Sequence, residues 1–460
     1  MTEEQAVPQA VGMTATVPGG PLATTAVNPT ALLRSPQYLR LLVLAALLGA
    51  PISAGSYAFL QLVGHLQLWV FSDLPDALGL GRDPLWWPLI PLALAGLLVG
   101  LTIRFMPGGG GESPADGFHA AGPPPVAALP GIFLAATAGL ALGAVIGPEA
   151  PLIALGAGVG AWALRLARHD APAQAVAVIG AAGSFAAVST LFGSPLLGAF
   201  LLMEVAGGVG GAAVSLVLLP GLLAAGIGTL VFVGLDSLTG LGAVTLSLPG
   251  LPQFARPDVA QFLWAFAIGA AAAVLATAIR RLALALRPLV TRHLVEGTVV
   301  AGVVVACASI AYAAMTDKST GDVLFSGQTA LPRLISESAD YSVPALLALL
   351  VCKGLAYSVS LSSFRGGPVF PAMFLGAAGG MLLSHAPGLT LVPAVAMGIG
   401  AMSVAMLRLP LTSVMLATLL LFSDGLAVMP LVIVAVVVAH VGTARLQKMP
   451  GEGAVPTSDE

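Results

Sequence analysis

One carboxylate stands alone in a long apolar stretch of this chain. Glu149 is the only Asp, Glu, Lys or Arg between Gly117 and Leu164. A charge in hydrocarbon costs several kcal/mol by most estimates, so an intramembrane carboxylate is by default a candidate functional residue. The surrounding motif, Gly147-Pro148-Glu149-Ala150-Pro151, predicts a break in the helix. A break at membrane depth is tolerated only where protein or a water-filled cavity satisfies the freed backbone groups, so this stretch indicates an ion pathway.

The motif has a second copy in the C-terminal half of the chain. Residues 147–160 read GPEAPLIALGAGVG and residues 367–380 read GPVFPAMFLGAAGG, which agree at half of their positions. Two prolines that head apolar runs, and two glycines at equal distance before them, extend the correspondence: Pro195, Pro410, Gly183 and Gly398. Corresponding Gly/Pro breaks in two halves indicate a transport site made from discontinuous helices. The alternative is a small-residue packing motif without any ion.

Broken helices of this kind present their N-termini to a ligand. The first N–H groups of a helix lack partners inside it, and the positive end of the helix dipole favours an anion. Backbone around Gly147, Pro148 and Ala150, and around Gly367, Val369 and Phe370, is therefore the candidate anion-binding surface. Since Pro368 has no N–H, a donor at that position is either missing or moved to Val369 and Phe370.

The composition identifies the elements that position these motifs as membrane helices. Hydrophobic residues make up 57% of the 460 residues and charged residues only 8%, with a mean hydropathy of +0.98. Apolar runs of about 20 residues predict helices rather than a barrel. The chain shows no metal-ligand cluster, nucleophile elbow, phosphate loop or nucleic-acid patch. We therefore expect no enzyme, no cofactor, no metal site and no nucleic-acid partner.

The predicted fold is an all-α polytopic membrane protein with tilted and broken helices. Residues 36–447 form one membrane transport domain with halves of about 36–235 and 258–447, between a disordered cytoplasmic tail (1–35) and a C-terminal tail (448–460). Arg34 and Arg40 precede the first span and place the N-terminus inside by the positive-inside bias. We expect helix breaks at five places: residues 130–131, 147–151, 192–195, 207–211 and 365–371.

At these motifs the sequence resembles the CLC family of chloride channels and proton-coupled anion transporters. The family's gating signature resembles residues 147–151, its later G-x-F-x-P signature resembles residues 366–371, and its Pro-Leu-headed helices resemble residues 194–198 and 410–412. Order and spacing agree over roughly residues 36–445, as in a divergent bacterial-type branch without C-terminal regulatory domains. The resemblance implies an inverted repeat and a homodimer in the lipid bilayer of the cell membrane, with one pore per subunit. It also implies that Glu149 occupies or vacates the outer anion site.

Several contacts implied by the family pattern are altered in this chain. Alignment on Pro114 puts Gly111 where the family has a serine that contacts the central anion, with Ser113 nearby. A pore tyrosine is expected near the C-terminus, yet the last tyrosine is Tyr357, so we expect that contact to be absent.

The position that resembles the transporters' proton-relay glutamate falls on Val205, as in the channel members. Glu204, one residue earlier, is either a possible relay or a structural hydrogen-bonding group. Two cations near the second motif are also open to interpretation. Arg365 is a vestibule charge or an interface anchor, and Lys353 is more consistent with a snorkelling or paired residue than with a pore residue.

Three functions remain possible at this point. The first is passive or voltage-gated chloride permeation with Glu149 as a negative gate that competes with the anion. The second is proton-coupled antiport of chloride or fluoride. The third is a non-transporting membrane protein that retains only the architecture.

Overall fold

The computed structural model describes residues 34–81, 83–117, 122–205, 212–240, 254, 256–421 and 425–447. Both predicted tails, apart from Arg34 and Ser35, lie outside these residues, as does the break expected at 207–211. The described chain is built from helices and their connections, with a single isolated backbone bridge between Gly147 and Gly367. Eight of its helices are long and apolar enough to cross a membrane. The prediction of an all-α multi-pass membrane protein is confirmed.

Within the described residues, each half contains eight α-helices. The first half contains α1 Pro36–Leu68, α2 Leu74–Ala77, α3 Leu89–Phe105, α4 Leu129–Ala141, α5 Glu149–Ala167, α6 Ala173–Phe192, α7 Pro195–Val205 and α8 Ala212–Thr239. The second half contains α9 Val259–Arg292, α10 Leu294–Thr316, α11 Ala330–Ser336, α12 Val343–Ser363, α13 Val369–Leu383, α14 Leu391–Leu407, α15 Pro410–Leu420 and α16 Gly425–Leu446. Several of these, α13 among them, are shorter than the roughly 17 residues that a full crossing needs.

Glycine and proline explain where some of these helices begin and end. Gly193 adopts a left-handed conformation with φ of 62° and ends α6 at Phe192, and Pro195 begins α7, as predicted. The prediction of a helix break at residues 130–131 is wrong. Pro130 lies in the first turn of α4, where a helix needs no N–H donor, so the helix continues through Gly131.

The sequence repeat is also a repeat of packing. A Cβ atom on Gly183 would lie 2.1 Å from the carbonyl oxygen of Gly156, and one on Gly398 would lie 2.1 Å from that of Gly376. The backbones of α5 and α6 are therefore in direct contact, and those of α13 and α14 are in the same contact. Close helix approach through small residues is the main way that membrane helices associate. The two motifs thus head two equivalent helix pairs.

Helix α9 runs from one face of the molecule to the other, because its 34 residues span about 51 Å. Near its start, the Trp264 indole donates to the carbonyl of Pro387, just beyond the end of α13. Near its end, Arg287 pairs with Asp116 in the loop that follows α3. We call the face at the end of α9 the inner face, since its arginines predict a cytoplasmic location, and the opposite face the outer face.

Helices α5 and α13 start together and run in opposite directions. A Cβ atom on Gly158 of α5 would touch the Leu129 side chain at the start of α4. One on Gly108, in the loop that carries Asp116, would touch Ala128. The C-terminal half of α5 therefore points to the inner face, whereas α13 ends near Pro387 at the outer face. This is the geometry of an inverted repeat, with both helix N-termini inside the molecule.

We predict that Gly398→Ala destabilises the protein. The new Cβ would overlap the Gly376 carbonyl, and overpacking of this kind costs about 1–3 kcal/mol. Gly379→Ala on α13 is the matched control, because its Cβ meets no atom within 4 Å and alanine favours a helix. Unfolding titrations in mixed detergent micelles would measure both. Equal stabilities for the two variants would contradict the backbone contact.

Candidate functional site

Two motif loops are joined by a pair of backbone hydrogen bonds. The Gly147 N–H donates to the Gly367 carbonyl at 2.7 Å, and the Gly367 N–H donates to the Gly147 carbonyl at 2.6 Å. Directly after this bridge, Pro148 and Pro368 occupy the N-cap positions of α5 and α13. A proline at this position costs no helical hydrogen bond, and α5 and α13 begin at Glu149 and Val369. The bridge therefore brings the N-termini of α5 and α13 side by side.

The Glu149 carboxylate lies in the space between these N-termini. Its side chain is fully buried, and Oε1 accepts a 2.9 Å hydrogen bond from the backbone N–H of Phe370. The N–H groups of Val369 and of Glu149 itself also face the carboxylate. Oε2 is buried and accepts no hydrogen bond from any residue in the described ranges. The carboxylate is thus held by helix N-termini and not by an opposite charge.

Glycine is required on both sides of the carboxylate. A Cβ atom on Gly147 would lie 2.2 Å from Oε2, and one on Gly367 would lie 1.7 Å from it. The backbone N–H of Ala150 would be 3.1 Å from that second Cβ position. The narrow slot is therefore formed by backbone from both copies of the repeat. An anion in place of the carboxylate would meet the same N–H groups and the same dipole ends.

Tyr357 approaches this site, although the sequence reasoning gave it no role. It is fully buried on α12, its hydroxyl donates to the Pro368 carbonyl at 2.8 Å, and it interacts electrostatically with Glu149. The short connection between α12 and α13 was the signal that could have found it. Only five residues separate the two helices, so the last turns of the first lie beside the start of the second. The expected tyrosine near the C-terminus is absent, and a different one reaches the motif.

The segment before Glu149 is fixed from the second half of the chain. The Val145 N–H donates to the Ser360 hydroxyl of α12 at 3.1 Å, and the Gly143 carbonyl accepts from the Phe325 N–H at 3.2 Å. Phe370, whose N–H binds the carboxylate, stacks its ring on that of Phe192 at a centroid distance of 5.7 Å. The peptide that presents the carboxylate is therefore restrained on both sides.

Lys353 anchors the outer loop that holds Gly143, and it does not snorkel. Its ammonium is fully buried and donates to the carbonyls of Asp322, Val323 and Leu324 at 2.9 to 3.1 Å. The Asp322 carboxylate accepts hydrogen bonds from two phenols, those of Tyr312 and Tyr341. Burial and the neighbouring carboxylate raise the pKa of Tyr341, which keeps that phenol protonated as a donor.

The glycine-rich loop lies near the start of α13. Gly111 has φ of 98° and packs near Ile132, and Ser113 is buried. Among the described contacts, none joins either residue to Glu149. The loop faces the start of α13 across a small pocket that Pro114 and Pro368 both line. Anion binding by Gly111 and Ser113 stays a prediction.

Glu204 caps a helix. Its two carboxylate oxygens accept from the backbone N–H groups of Leu411 and Thr412, both at 2.8 Å, and from the Thr412 hydroxyl at 2.7 Å. The side chain at the end of α7 therefore satisfies the N-terminus of α15, which begins with Pro410. This arrangement joins the two halves of the repeat. A proton-relay role for Glu204 stays a prediction.

Comparison with known proteins gives consistent similarities. A family model described as voltage gated chloride channel matches residues 95–443. A putative ion-transport protein, YfeO, of Escherichia fergusonii is 28% identical over 364 residues, which cover 77% of this chain and 81% of that protein. Among solved structures, a slow cyanobacterial Cl⁻/H⁺ antiporter aligns with a TM-score of 0.70 at 18% identity, covering 89% of this chain and 95% of the other. A CLC-type fluoride/proton antiporter aligns with a TM-score of 0.64 at 19% identity, covering 88% and 96%.

We predict that Glu204→Ala destabilises the protein by about 1–2 kcal/mol, because the α15 N-terminus loses its cap. Unfolding titrations in mixed micelles would measure the change. The control is Glu337→Ala, which removes a partly exposed i,i+4 pair with Arg333 and costs about 0.5 kcal/mol or less. If Glu204→Ala were no more destabilising than the control, the capping role would be wrong.

Proposed function

The chain belongs to the voltage-gated chloride channel family, and we propose that it passes chloride or a similar small anion across the membrane through a pore gated by Glu149. The observation that carries this proposal is the 2.9 Å hydrogen bond from the Phe370 N–H to Glu149 Oε1. A carboxylate that accepts from a helix N-terminus fills a place that a permeating anion would fill. The gate and the anion therefore compete for one site.

The competition makes the gate depend on protonation. An ionised Glu149 is attracted by the dipole ends of α5 and α13, and it keeps the slot closed. A protonated side chain loses that attraction and leaves the Phe370 N–H available to an anion. Glu149 is also weakly restrained for a buried carboxylate, since Oε2 has no described hydrogen-bond donor. The side chain can therefore leave at a lower cost than a fully satisfied one.

The surroundings of Glu204 support permeation without stoichiometric proton movement. Both of its oxygens are engaged by the α15 N-terminus, and the next residue, Val205, carries no titratable group. Proton-coupled antiport of chloride or fluoride is the second candidate. It is favoured by the buried position of Glu149, which can accept a proton directly beside the slot that an anion would occupy. The two antiporters of similar fold carry out such exchange according to their descriptions.

We further propose that two chains form a homodimer with separate pores. The dimer is what the family resemblance implies, and separate pores are supported by the completeness of the site, since α5, α12 and α13 of one chain supply every described contact to Glu149. A second copy is not needed to build the slot. Mass measurement of the purified protein in detergent would test the dimer independently of transport.

The test of transport is flux from liposomes that contain the purified protein, with chloride efflux and internal pH followed together. Wild-type flux should rise as the pH falls, since protonation opens the gate. Glu149→Gln should be insensitive to pH and faster at neutral pH. Because a hydrogen bond to a charged group contributes about 1.5–3 kcal/mol, the increase should be about ten- to a hundredfold.

The control is Glu337→Gln, a carboxylate at the molecular surface whose loss should leave the flux and its pH dependence unchanged. A pH dependence that survives in Glu149→Gln would contradict the gating role. Proton movement in a fixed ratio to chloride efflux would identify the protein as an antiporter and not a channel. Absence of anion flux in the wild type would leave only the third possibility, a membrane protein that retains the architecture alone.

A further inference from the structure

Three polar side chains on one face of α12 each hold a different segment near the proposed gate. Lys353, Tyr357 and Ser360 are four and three residues apart, so they lie within about 60° of one another around the helix. All three are fully buried. They bind the outer loop between α10 and α11, the Pro368 carbonyl and the Val145 N–H, respectively. One helix face therefore contacts the segments that lead into α5 and α13 as well as the outer loop.

Ser360 differs from the serines beside it. The hydroxyls of Ser358 and Ser362 donate to carbonyls of their own helix. The Ser360 hydroxyl instead accepts from the buried N–H of Val145, which belongs to the other half of the chain. Two residues later, Gly147 is fixed by its backbone bridge. The segment directly before the carboxylate is therefore held at two alternate residues.

Lys353 holds the same segment from the outer side. Its ammonium binds three consecutive carbonyls of the outer loop and lies 4.2 Å from the centroid of the Phe374 ring. The next residue of that loop, Phe325, donates its N–H to the Gly143 carbonyl. Phe374 lies one turn after Phe370, whose N–H binds the carboxylate. Lys353 therefore joins the outer loop, the segment before the gate and α13.

These contacts reach Glu149 through geometry and not through charge. Tyr357 is the one titratable side chain described as interacting electrostatically with the Glu149 carboxylate. The titratable groups around Lys353 are the Asp322 carboxylate and the phenols that bind it, Tyr312 and Tyr341. Within the described ranges, no charged side chain interacts with Glu149, so α12 acts on the carboxylate by fixing where its backbone lies.

We propose that Ser360 and Lys353 are positioning residues, which align the segment before Glu149 so that its carboxylate meets the Phe370 N–H. This inference rests on the proposed gating and adds the residues that set the pH at which the gate opens. An ionised carboxylate closes the slot only while its backbone stays aligned with α13, whereas a side chain that has left the slot makes no such demand. A looser segment therefore weakens the closed state more than the open state, and the gate opens at a higher pH.

The test is the pH at which anion flux from liposomes is half-maximal. Ser360→Ala leaves the buried Val145 N–H without its acceptor, and it should raise that pH by about half a unit to one unit, with maximal flux at low pH within about twofold of wild type. Ser358→Ala is the matched control and should leave the pH unchanged, because its hydroxyl bonds only within α12. In the Glu149→Gln background, Ser360→Ala should not change the flux, since no carboxylate remains to be positioned.

Lys353→Met removes the ammonium but keeps the length of the side chain, and it should raise the half-maximal pH in the same direction. If this variant fails to fold, Tyr341→Phe decides the role of Lys353. It removes one of the two phenols that bind Asp322, loosens the same loop, and should raise the pH by a smaller amount. A wild-type pH profile in a folded Lys353→Met protein, or in Tyr341→Phe where that protein does not fold, would overturn the role of Lys353.

Equal pH profiles for Ser360→Ala and Ser358→Ala would overturn the inference. An effect of Ser360→Ala on flux that persists in the Glu149→Gln background would also overturn it, since the serine would then act on the fold and not on the gate. Both outcomes leave the proposed function intact when wild type and Glu149→Gln behave as stated for it. Absent wild-type flux, or a pH dependence that survives in Glu149→Gln, overturns the proposed function and this inference with it.

Discussion

The two hydrogen bonds between Gly147 and Gly367 are the contact on which the site depends. They join loops from opposite halves of the chain, and each loop leads directly through a proline into a helix. Side chains at either glycine would occupy the space of the Glu149 carboxylate, so the slot exists only because both residues lack a Cβ. With the loops joined, two helix N-termini face one buried point although α5 and α13 run to opposite faces. The site that we propose for an anion is therefore formed by backbone alone.

Backbone groups also compensate two other charges, a partly buried carboxylate and a buried ammonium. Glu204 accepts three hydrogen bonds at the start of α15, and Lys353 donates to three consecutive carbonyls of the outer loop. Glu149 differs from both, because one of its oxygens has no described donor. An incompletely satisfied carboxylate is the one that moves most easily, whereas fully satisfied groups hold structure. Hydrogen-bond satisfaction thus separates Glu149, the proposed gate, from two charges that stabilise the fold.

The amino-acid sequence alone determined the class of protein, the carboxylate that we propose as the gate, and the repeat. These features are local, because hydropathy, a lone carboxylate and Gly/Pro breaks can be read within a few neighbouring residues. The chemistry of proline left two alternatives, a donor missing at Pro368 or one moved to Val369 and Phe370, and in the structure Phe370 donates. The tertiary structure decided that Glu204 caps α15, that Lys353 is buried, that Tyr357 reaches the motif and that Arg365 lies on Gly109. Each of these depends on how one helix is rotated and placed against another far away in the chain. Periodicity and spacing do not fix such rotation, since one residue along a helix turns a side chain by about 100°.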